Sequence, residues 1–542
     1  MPATDKFNTV YEAFSATAAT TPDAAFFCVP PMAGRDYFPD GADFTYGETL
    51  TAVDAMKDRY AAAGYGHGHR VALLLENRPE FFHHYLALNA LGIGIVPVNP
   101  DYTRDELAYQ LEHSEAALVV AISNRVTDCD AAASDTSGPA PVIDVYNLPG
   151  TLPNARGETR DGAPGLMSEA ALLYTSGTTG RPKGCVLSNF YMINAGDGFT
   201  SIGGTAVMHQ GVERHYNPLP LFHMNALAVT ATGVMLKGNC LISPDRFHPS
   251  AWWDDLRATW ATIFSYLGVV PPLLLNEPPS PSDKDHGIRF GFGAGVDPKH
   301  HAAFEDRFGI PLVEGWGMTE TGRIFADVHE PRQVGTRAFG KPTETFEARV
   351  VDDRGNDVPP DTDGELWVRH SDAEPKLGLF SEYLKDPKAT EEAWAGGWFH
   401  TGDTVRQGAD GMLFFVDRKK NIIRRAGENI AAAEVEAVLQ SHGDVAQAAV
   451  LSVPDEVREE EVYACIAPMT GVEAGETLAN QLMDWCLERL AYFKAPGYFY
   501  FTDSLPSTGT QKIQKQQIFA AEEDPRTAKG VFDLTAQKRR AK

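Results

Sequence analysis

The sequence predicts an α/β chain of at least two domains, on three observations. Its 542 residues are too many for one hydrophobic core of ordinary size. Between residues 70 and 121 strand and helix signals alternate, which implies a parallel sheet covered by helices. Beyond residue 421 strand, helix and strand signals return on a smaller scale, enough for a small α+β domain.

Along the chain, Tyr11 to Ala19 reads as a helix. Arg70 to Leu75 is an apolar strand, and Pro79 to Leu91 a helix with proline at its start and Phe81, Tyr85 and Leu88 on one face. Gly94 to Val98, Arg104 to His113 and Ala117 to Ala121 continue as strand, helix and strand. Residues 127–165, rich in Ala, Ser, Asp, Gly and Pro, read as an ordered connection or surface loop. In the terminal region Ala449 to Val453 and Ala464 to Ala467 read as strands. The helices there are one beginning at Ala431, with Val435, Val438 and Leu439 inward, and one over Thr477 to Leu490. No internal repeat is visible.

Composition narrows the function. Apolar residues make up 43% and charged residues 22%, as in folded globular proteins. The net charge of −26 opposes nonspecific binding to nucleic acid or anionic membranes, although it does not exclude ATP, whose binding is decided locally. Cys28, Cys129, Cys185, Cys240, Cys465 and Cys486 are scattered without C-x-x-C spacing, so neither a disulfide framework nor a zinc site is indicated. The first residues lack a signal-peptide pattern, and the best apolar stretch, Leu86 to Val98, is too short to span a bilayer. A cytoplasmic protein with no integral membrane segment is expected, and a homodimer is one assembly left open.

The chain is organised around residues 171–188. Ala171 to Tyr174 reads as a buried strand, which gives way to Thr175, Ser176, Gly177, Thr178, Thr179 and Gly180; Lys183 follows, and Cys185 to Leu187 is strand-like again. Glycines turn backbone N–H groups toward a ligand, hydroxyls add donors, and the lysine adds charge, which together suit a polyphosphate. The stretch is not the P-loop G-x-x-x-x-G-K-[ST]. Pro182 occupies the second glycine position and Gly184 the position of the metal-binding hydroxyl.

The full string Tyr-Thr-Ser-Gly-Thr-Thr-Gly-Arg-Pro-Lys-Gly resembles the phosphate-loop signature of the adenylate-forming superfamily, in its acyl-CoA synthetase branch. The resemblance covers roughly residues 40 to 515. It implies a large N-terminal domain of helix-covered sheets (1–416), a hinge (417–421) and a small mobile C-terminal α+β domain (422–542). It also implies ATP, Mg²⁺ and coenzyme A, acting on a small-molecule carboxylic acid.

Residue by residue, the resemblance makes further assignments. His223, after the apolar Asn217 to Phe222, falls where family members carry an aromatic or histidine that moves between reaction steps. His223, Met224, Asn225 and Tyr266 fall at the acyl pocket. Gly293, Ala294 and Gly295 match the turn passing the adenine. Glu314-Gly315-Trp316-Gly317-Met318-Thr319-Glu320 matches the Y-G-x-T-E motif with tryptophan for tyrosine, an equally large face for stacking. Thr319 then donates to the α-phosphate and Glu320 holds Mg²⁺, a hard cation suited to carboxylate oxygens. Asp403 of Thr401-Gly402-Asp403 takes the ribose hydroxyls, with Arg418 beside it, and Asn429 also falls at the nucleotide. Lys420 becomes the hinge pivot and Lys512 the catalytic lysine, although Gln511 replaces the usual glycine before it. Gly427, Glu428 and Phe493 fall at the CoA tunnel. The glycine–tyrosine pair that members carry before a proline is absent, and Phe380 to Tyr383 stands there instead.

The implied chemistry has two halves: acyl-adenylate formation with loss of pyrophosphate, then attack by a thiol with loss of AMP. Coenzyme A is the expected thiol, because no carrier domain follows. Asp503-Ser504-Leu505 is no phosphopantetheine site, since Phe501 replaces the required glycine and Pro506 breaks the helix that should follow. The alternatives are a stand-alone adenylating enzyme feeding a separate carrier and a non-catalytic acyl- or nucleotide-binding relative. Two readings stand for Arg323, which with Gly317 and Gly322 falls at the acyl pocket. It pairs with Asp327, or it receives a polar or anionic group at the far end of a small acid.

Overall fold

The computed structural model describes residues 2–175, 182–418, 422–425, 428–455, 458–490, 492–507, 513–520 and 523–538. The chain divides into two compact units, one of Met1–Ala348 with Val368–Phe399 and one of Arg349–Trp367 with His400–Lys542.

The first unit contains two sheets. One has seven strands in the order Glu382–Tyr383, Lys183–Ser188, Glu169–Thr175, Gly94–Pro97, Arg70–Leu74, Leu118–Ala121 and Val142–Asp144. Its central strands are parallel. Strands buried on both faces need continuous apolar runs, and Val71–Leu74, Ile95–Val96 and Leu118–Ala121 supply them. The helices begin where the sequence offers caps. Pro79 occupies the first turn of Pro79–Ala90, and Thr103 with Glu106 forms a reciprocal capping box on Arg104–Ser114. Residues 127–165 hold more structure than their composition suggests. The helix Val126–Ser134 buries Cys129, Ala132 and Ala133, and Val142–Asp144 is an edge strand. Small alanines give a weak periodic signal yet pack closely on a sheet.

The second sheet has eight strands in the order Phe325–Ala326, Leu312–Trp316, Phe290–Ala294, Ile263–Leu267, Arg214–Tyr216, Cys240–Ile242, Ala25–Val29 and Ala42–Thr45. All but the two edge strands run parallel. Tyr266 pairs with Gly293, and Gly293 with Glu314. These positions therefore form one row at the carboxyl ends of three adjacent parallel strands, where α/β sheets bind ligands.

The second unit includes the strand pair Phe399–Gln407 and Leu413–Arg418, and a sheet centred on Glu459–Pro468. That central strand alternates in the period of two expected of a pleated strand. Val462, Ala464 and Ile466 pack on the helices Ala432–Gln440 and Glu476–Leu487, while Tyr463 and Cys465 face a second cluster with Ala449, Val453 and Leu505.

A buried ion triad sits in this unit. Glu461, fully buried, accepts from Arg425 Nε at 2.8 Å and from Lys538, whose ammonium also donates to the Phe493 carbonyl at 3.1 Å. Burial pulls the Lys538 ammonium down to about 8, against the opposing pull of Glu461. An unfolded lysine titrates at about 10.4, so between these values the unfolded chain holds more protons and stability rises with pH. Lys538→Met should flatten the part of the rise in stability between about pH 8 and about pH 10.4 that Lys538 supplies, read by chemical denaturation of both proteins. An identical pH slope in the two proteins would refute the assignment.

Candidate active site

The row at the strand ends is tied together by one carboxylate. Glu314, 6% exposed, accepts from Tyr266 Oη at 2.5 Å, from the Gly295 N–H at 2.8 Å and from the Val296 N–H at 3.3 Å. Burial raises its pKa and these donors oppose the rise. Tyr266 is fully buried, and its hydroxyl is engaged by Glu314. Gly293 has no room for a side chain, since a Cβ there would lie 2.3 Å from the Tyr266 carbonyl oxygen. Trp316 ends its strand stacked on Phe325 at 5.7 Å between ring centroids.

Beyond Trp316 the chain turns through Gly317, Met318, Thr319, Glu320 and Thr321. Tyr191 Oη donates to the Thr319 carbonyl at 2.7 Å, and the Phe380 N–H donates to the Glu320 carbonyl at 2.8 Å. Glu320 is 6% exposed and accepts from Tyr383 Oη at 2.9 Å. Cys185 also faces this carboxylate, and burial, reinforced by Glu320, holds its thiol far above the ordinary range. Lys183 stands 4.8 Å from the centre of the Tyr383 ring. Thr175 and Lys183 are paired across the two antiparallel strands, so the two ends of the expected phosphate loop are fixed in register. Ser176, Gly177, Thr178, Thr179 and Gly180 lie outside the described residues.

Gly322 has φ +57°, and a Cβ there would lie 2.4 Å from the Tyr191 ring, so the space beside it belongs to that tyrosine. Arg323 follows, partly buried. Its guanidinium donates to Asn194 Oδ1 at 2.8 Å and to Thr345 Oγ1 at 3.2 Å, and its Nε has no acceptor. Asp327 instead accepts from the Gln333 N–H at 2.6 Å. Burial lowers the Arg323 pKa, opposed by the more distant Asp197.

His223 is exposed, between half-buried Phe222 and Met224. The next residues, Asn225–Ala231, form a π-helix, a form concentrated at functional sites. Asn77, 2% exposed, holds the loop before it. Its amide donates to the carbonyls of Leu219 at 3.2 Å and Pro244 at 3.0 Å, and its oxygen accepts from the Leu221 N–H at 3.0 Å. Asn217 adds bonds to Asn225 Oδ1 at 3.2 Å and Thr230 Oγ1 at 2.9 Å.

In the second unit Asp403 is 2% exposed and pairs across the ladder with Arg418, so the two residues expected at the ribose are cross-strand neighbours. Gly402, at φ +68°, donates to Glu365 Oε1 at 3.2 Å. Glu428 and Asn429 lie in the strand Glu428–Ala431, and Phe493 packs against the unit's core. Lys420, Gly427 and Lys512 lie outside the described residues.

Sequence reasoning missed Tyr383, Cys185 and Asn77 as supports of the site. Tyr383 was visible only as part of a departure from a motif, and Asn77 only as a polar residue ahead of Pro79.

The AMP-binding enzyme family matches residues 14–384, and its C-terminal domain matches residues 434–512. The sulfoacetate–CoA ligase of Cupriavidus necator is 31% identical over 94% of this chain and 97% of its own length. The crotonobetaine/carnitine–CoA ligase of Proteus mirabilis is 29% identical over 88% and 93%. The o-succinylbenzoate–CoA synthetase of Bacillus subtilis, solved with its acyl-adenylate intermediate, superposes with a TM-score of 0.79 at 26% identity, covering 94% of this chain and 98% of that one. The same synthetase with ATP and magnesium gives 0.78 at 27% identity. The chain belongs to the AMP-binding enzymes and is an AMP-forming acid–CoA ligase, with ATP and coenzyme A as co-substrates.

Magnesium bound with ATP needs only one or two protein carboxylates, because phosphates and waters fill its octahedron. Among the described residues no group of three or more His, Cys, Asp or Glu side chains could cage a metal. A single buried carboxylate, Glu320, therefore fits an ion that arrives with the nucleotide.

Asn77→Ala should leave the buried Leu221 N–H without a partner, at a cost of about 1–3 kcal/mol. The expected result is a lower thermal midpoint and a KM for the acid raised several-fold, with KM for ATP unchanged. Unchanged melting and unchanged acid KM would show that Asn77 does not hold the His223 loop.

Proposed function

We propose that this enzyme joins coenzyme A to a short carboxylic acid that carries an anionic group at its far end. The observation behind this reading is Arg323. Its guanidinium is held by two neutral oxygens, from Asn194 and Thr345, and has no ion-pair partner among the described residues. A partly buried cation left in that state is costly, and a sulfonate or second carboxylate of the substrate would complete it by charge-assisted bonds. An apolar acyl tail would leave the cost in place. The relative named for sulfoacetate fits this reading, whereas the quaternary ammonium of a carnitine-like acid would meet Arg323 as a like charge.

The reaction runs in two steps. A carboxylate oxygen of the acid attacks the α-phosphorus of ATP, the bond to the β-phosphate breaks, and pyrophosphate leaves. Thr319 and Lys183 donate to phosphate oxygens as charge builds on them, in a preformed electrostatic environment. Glu320 is the residue that would hold Mg²⁺, which would supply neutralising positive charge to the phosphates. Trp316 covers the adenine, and Asp403 with Arg418 takes the ribose. The CoA sulfur then attacks the acyl carbon, the bond to the adenylate oxygen breaks, AMP departs with the electron pair, and the thiol proton is released. Lys512 serves the first step and must vacate the thiol's path for the second, with Lys420 as the pivot. Gly427, Glu428 and Phe493 would line that path. His223 stands at the acyl end beside Met224 and Asn225. A cytoplasmic setting is part of the proposal, supported by six free cysteines, all buried.

Two experiments test this reading. Lys512→Ala should cut adenylation roughly 100- to 1000-fold or more, the scale of losing one strong transition-state donor, while sparing thioester formation from supplied acyl-adenylate. Equal loss in both half-reactions would contradict the assignment. Arg323→Met should reduce kcat/KM for sulfoacetate and for short dicarboxylic acids, and raise it for apolar acids of equal length. An unchanged ratio between the two substrate sets would remove the case for an anionic tail.

A further inference from the structure

Glu320 and Lys183 carry opposite charges and serve different parts of one ligand, a metal ion and a phosphate. At close range two such groups should pair and cancel each other. Among the described residues Lys183 forms no ion pair, and the element between them is Tyr383. Its hydroxyl donates to Glu320 Oε1 at 2.9 Å, and its ring faces the Lys183 ammonium at 4.8 Å from the centroid. Tyr383 is 8% exposed.

The position of Tyr383 is built rather than incidental. Glu382–Tyr383 is an edge strand that pairs antiparallel with Cys185 and Val186, two and three residues beyond Lys183. The Ser381 N–H donates to the Val186 carbonyl at 2.9 Å, and the Leu384 N–H to the Gly184 carbonyl at 2.8 Å. The Phe380 N–H reaches the Glu320 carbonyl, and the Phe380 ring packs on Tyr383 at 4.7 Å between centroids. One short segment therefore bonds to the strand that carries the lysine and to the turn that carries the glutamate.

We infer that Tyr383 is a positioning residue that holds Glu320 and Lys183 apart. A hydrogen bond keeps the carboxylate aimed at the metal, and the π-face holds the ammonium away from it and available to phosphate. The ring face gives a cation modest attraction without neutralising it, which a carboxylate could not do. The inference rests on the roles given above to Glu320 and Lys183.

The test measures binding rather than turnover. Binding of Mn²⁺ with a non-hydrolysable ATP analogue is followed by electron paramagnetic resonance, and binding of the analogue in excess chelator by calorimetry. Tyr383→Phe removes only the hydroxyl. It should weaken metal binding about tenfold or more, the scale of a hydrogen bond to a charged group, and leave metal-free nucleotide binding within about twofold. Tyr383→Ala removes the ring as well, so Lys183 and Glu320 can pair and metal-free nucleotide binding should also fall. Adding Glu320→Gln to Tyr383→Ala should restore metal-free nucleotide binding, because the lysine is released. Equal loss of both affinities in Tyr383→Phe, or no restoration in the double variant, would overturn the inference. Glu320→Gln alone separates the premises. If it leaves Mn²⁺ binding intact, the metal role of Glu320 fails, whatever Tyr383 does.

Discussion

A site that activates ATP has to keep unlike charges close without letting them pair with one another. On the roles proposed for Glu320 and Lys183 the constraint meets at these two side chains, and the tyrosine between them offers a proton to one and a ring to the other. Much of the first unit can be understood from that point. The hairpin Glu169–Thr175 to Lys183–Ser188 delivers the lysine at a fixed register. The edge strand Glu382–Tyr383 brings the tyrosine, and the turn after Trp316, held by Tyr191 and Phe380, brings the glutamate. None of these side chains is set by its own segment alone.

The same logic extends to the acyl end. Arg323 has its guanidinium held by neutral partners, so its charge is oriented but not cancelled. Asp327, four residues further along the chain, accepts instead from the backbone N–H of Gln333. On the proposed reading, selectivity follows from unsatisfied polarity: an acid that brings an anion gains a strong contact, and one that brings a methyl group leaves a costly cation. The site would then take its shape from the protein and its final charge balance from the substrate.

Much of this was legible in the sequence because short motifs carry local geometry. The alternating runs between residues 70 and 121 form parallel strands and helices, ending within a residue or two of their predicted bounds. Proline and the Thr/Glu capping pair mark the helix starts. The helix Val126–Ser134 was not legible, because alanines that pack well carry little hydrophobic signal. Nor could a single sequence show that Tyr266 spends its hydroxyl on Glu314, that Asn77 holds the His223 loop, or that Asn194 takes Arg323. Each of these contacts joins residues far apart in the chain, and neither propensity nor periodicity records such a pair. Tyr383 is the clearest case: by itself it is one aromatic on a two-residue edge strand, and the role inferred for it exists only against Glu320 and Lys183.

The central claim is that a carboxylate oxygen of the substrate becomes bonded to the α-phosphorus of ATP before coenzyme A enters. The most direct measurement follows heavy oxygen from the labelled carboxylate of whichever acid turns over fastest, by mass spectrometry of the products of a single turnover with ATP and CoA. The mechanism requires one labelled oxygen in AMP and none in pyrophosphate. Label in inorganic phosphate, pyrophosphate or water, with none in AMP, would contradict it.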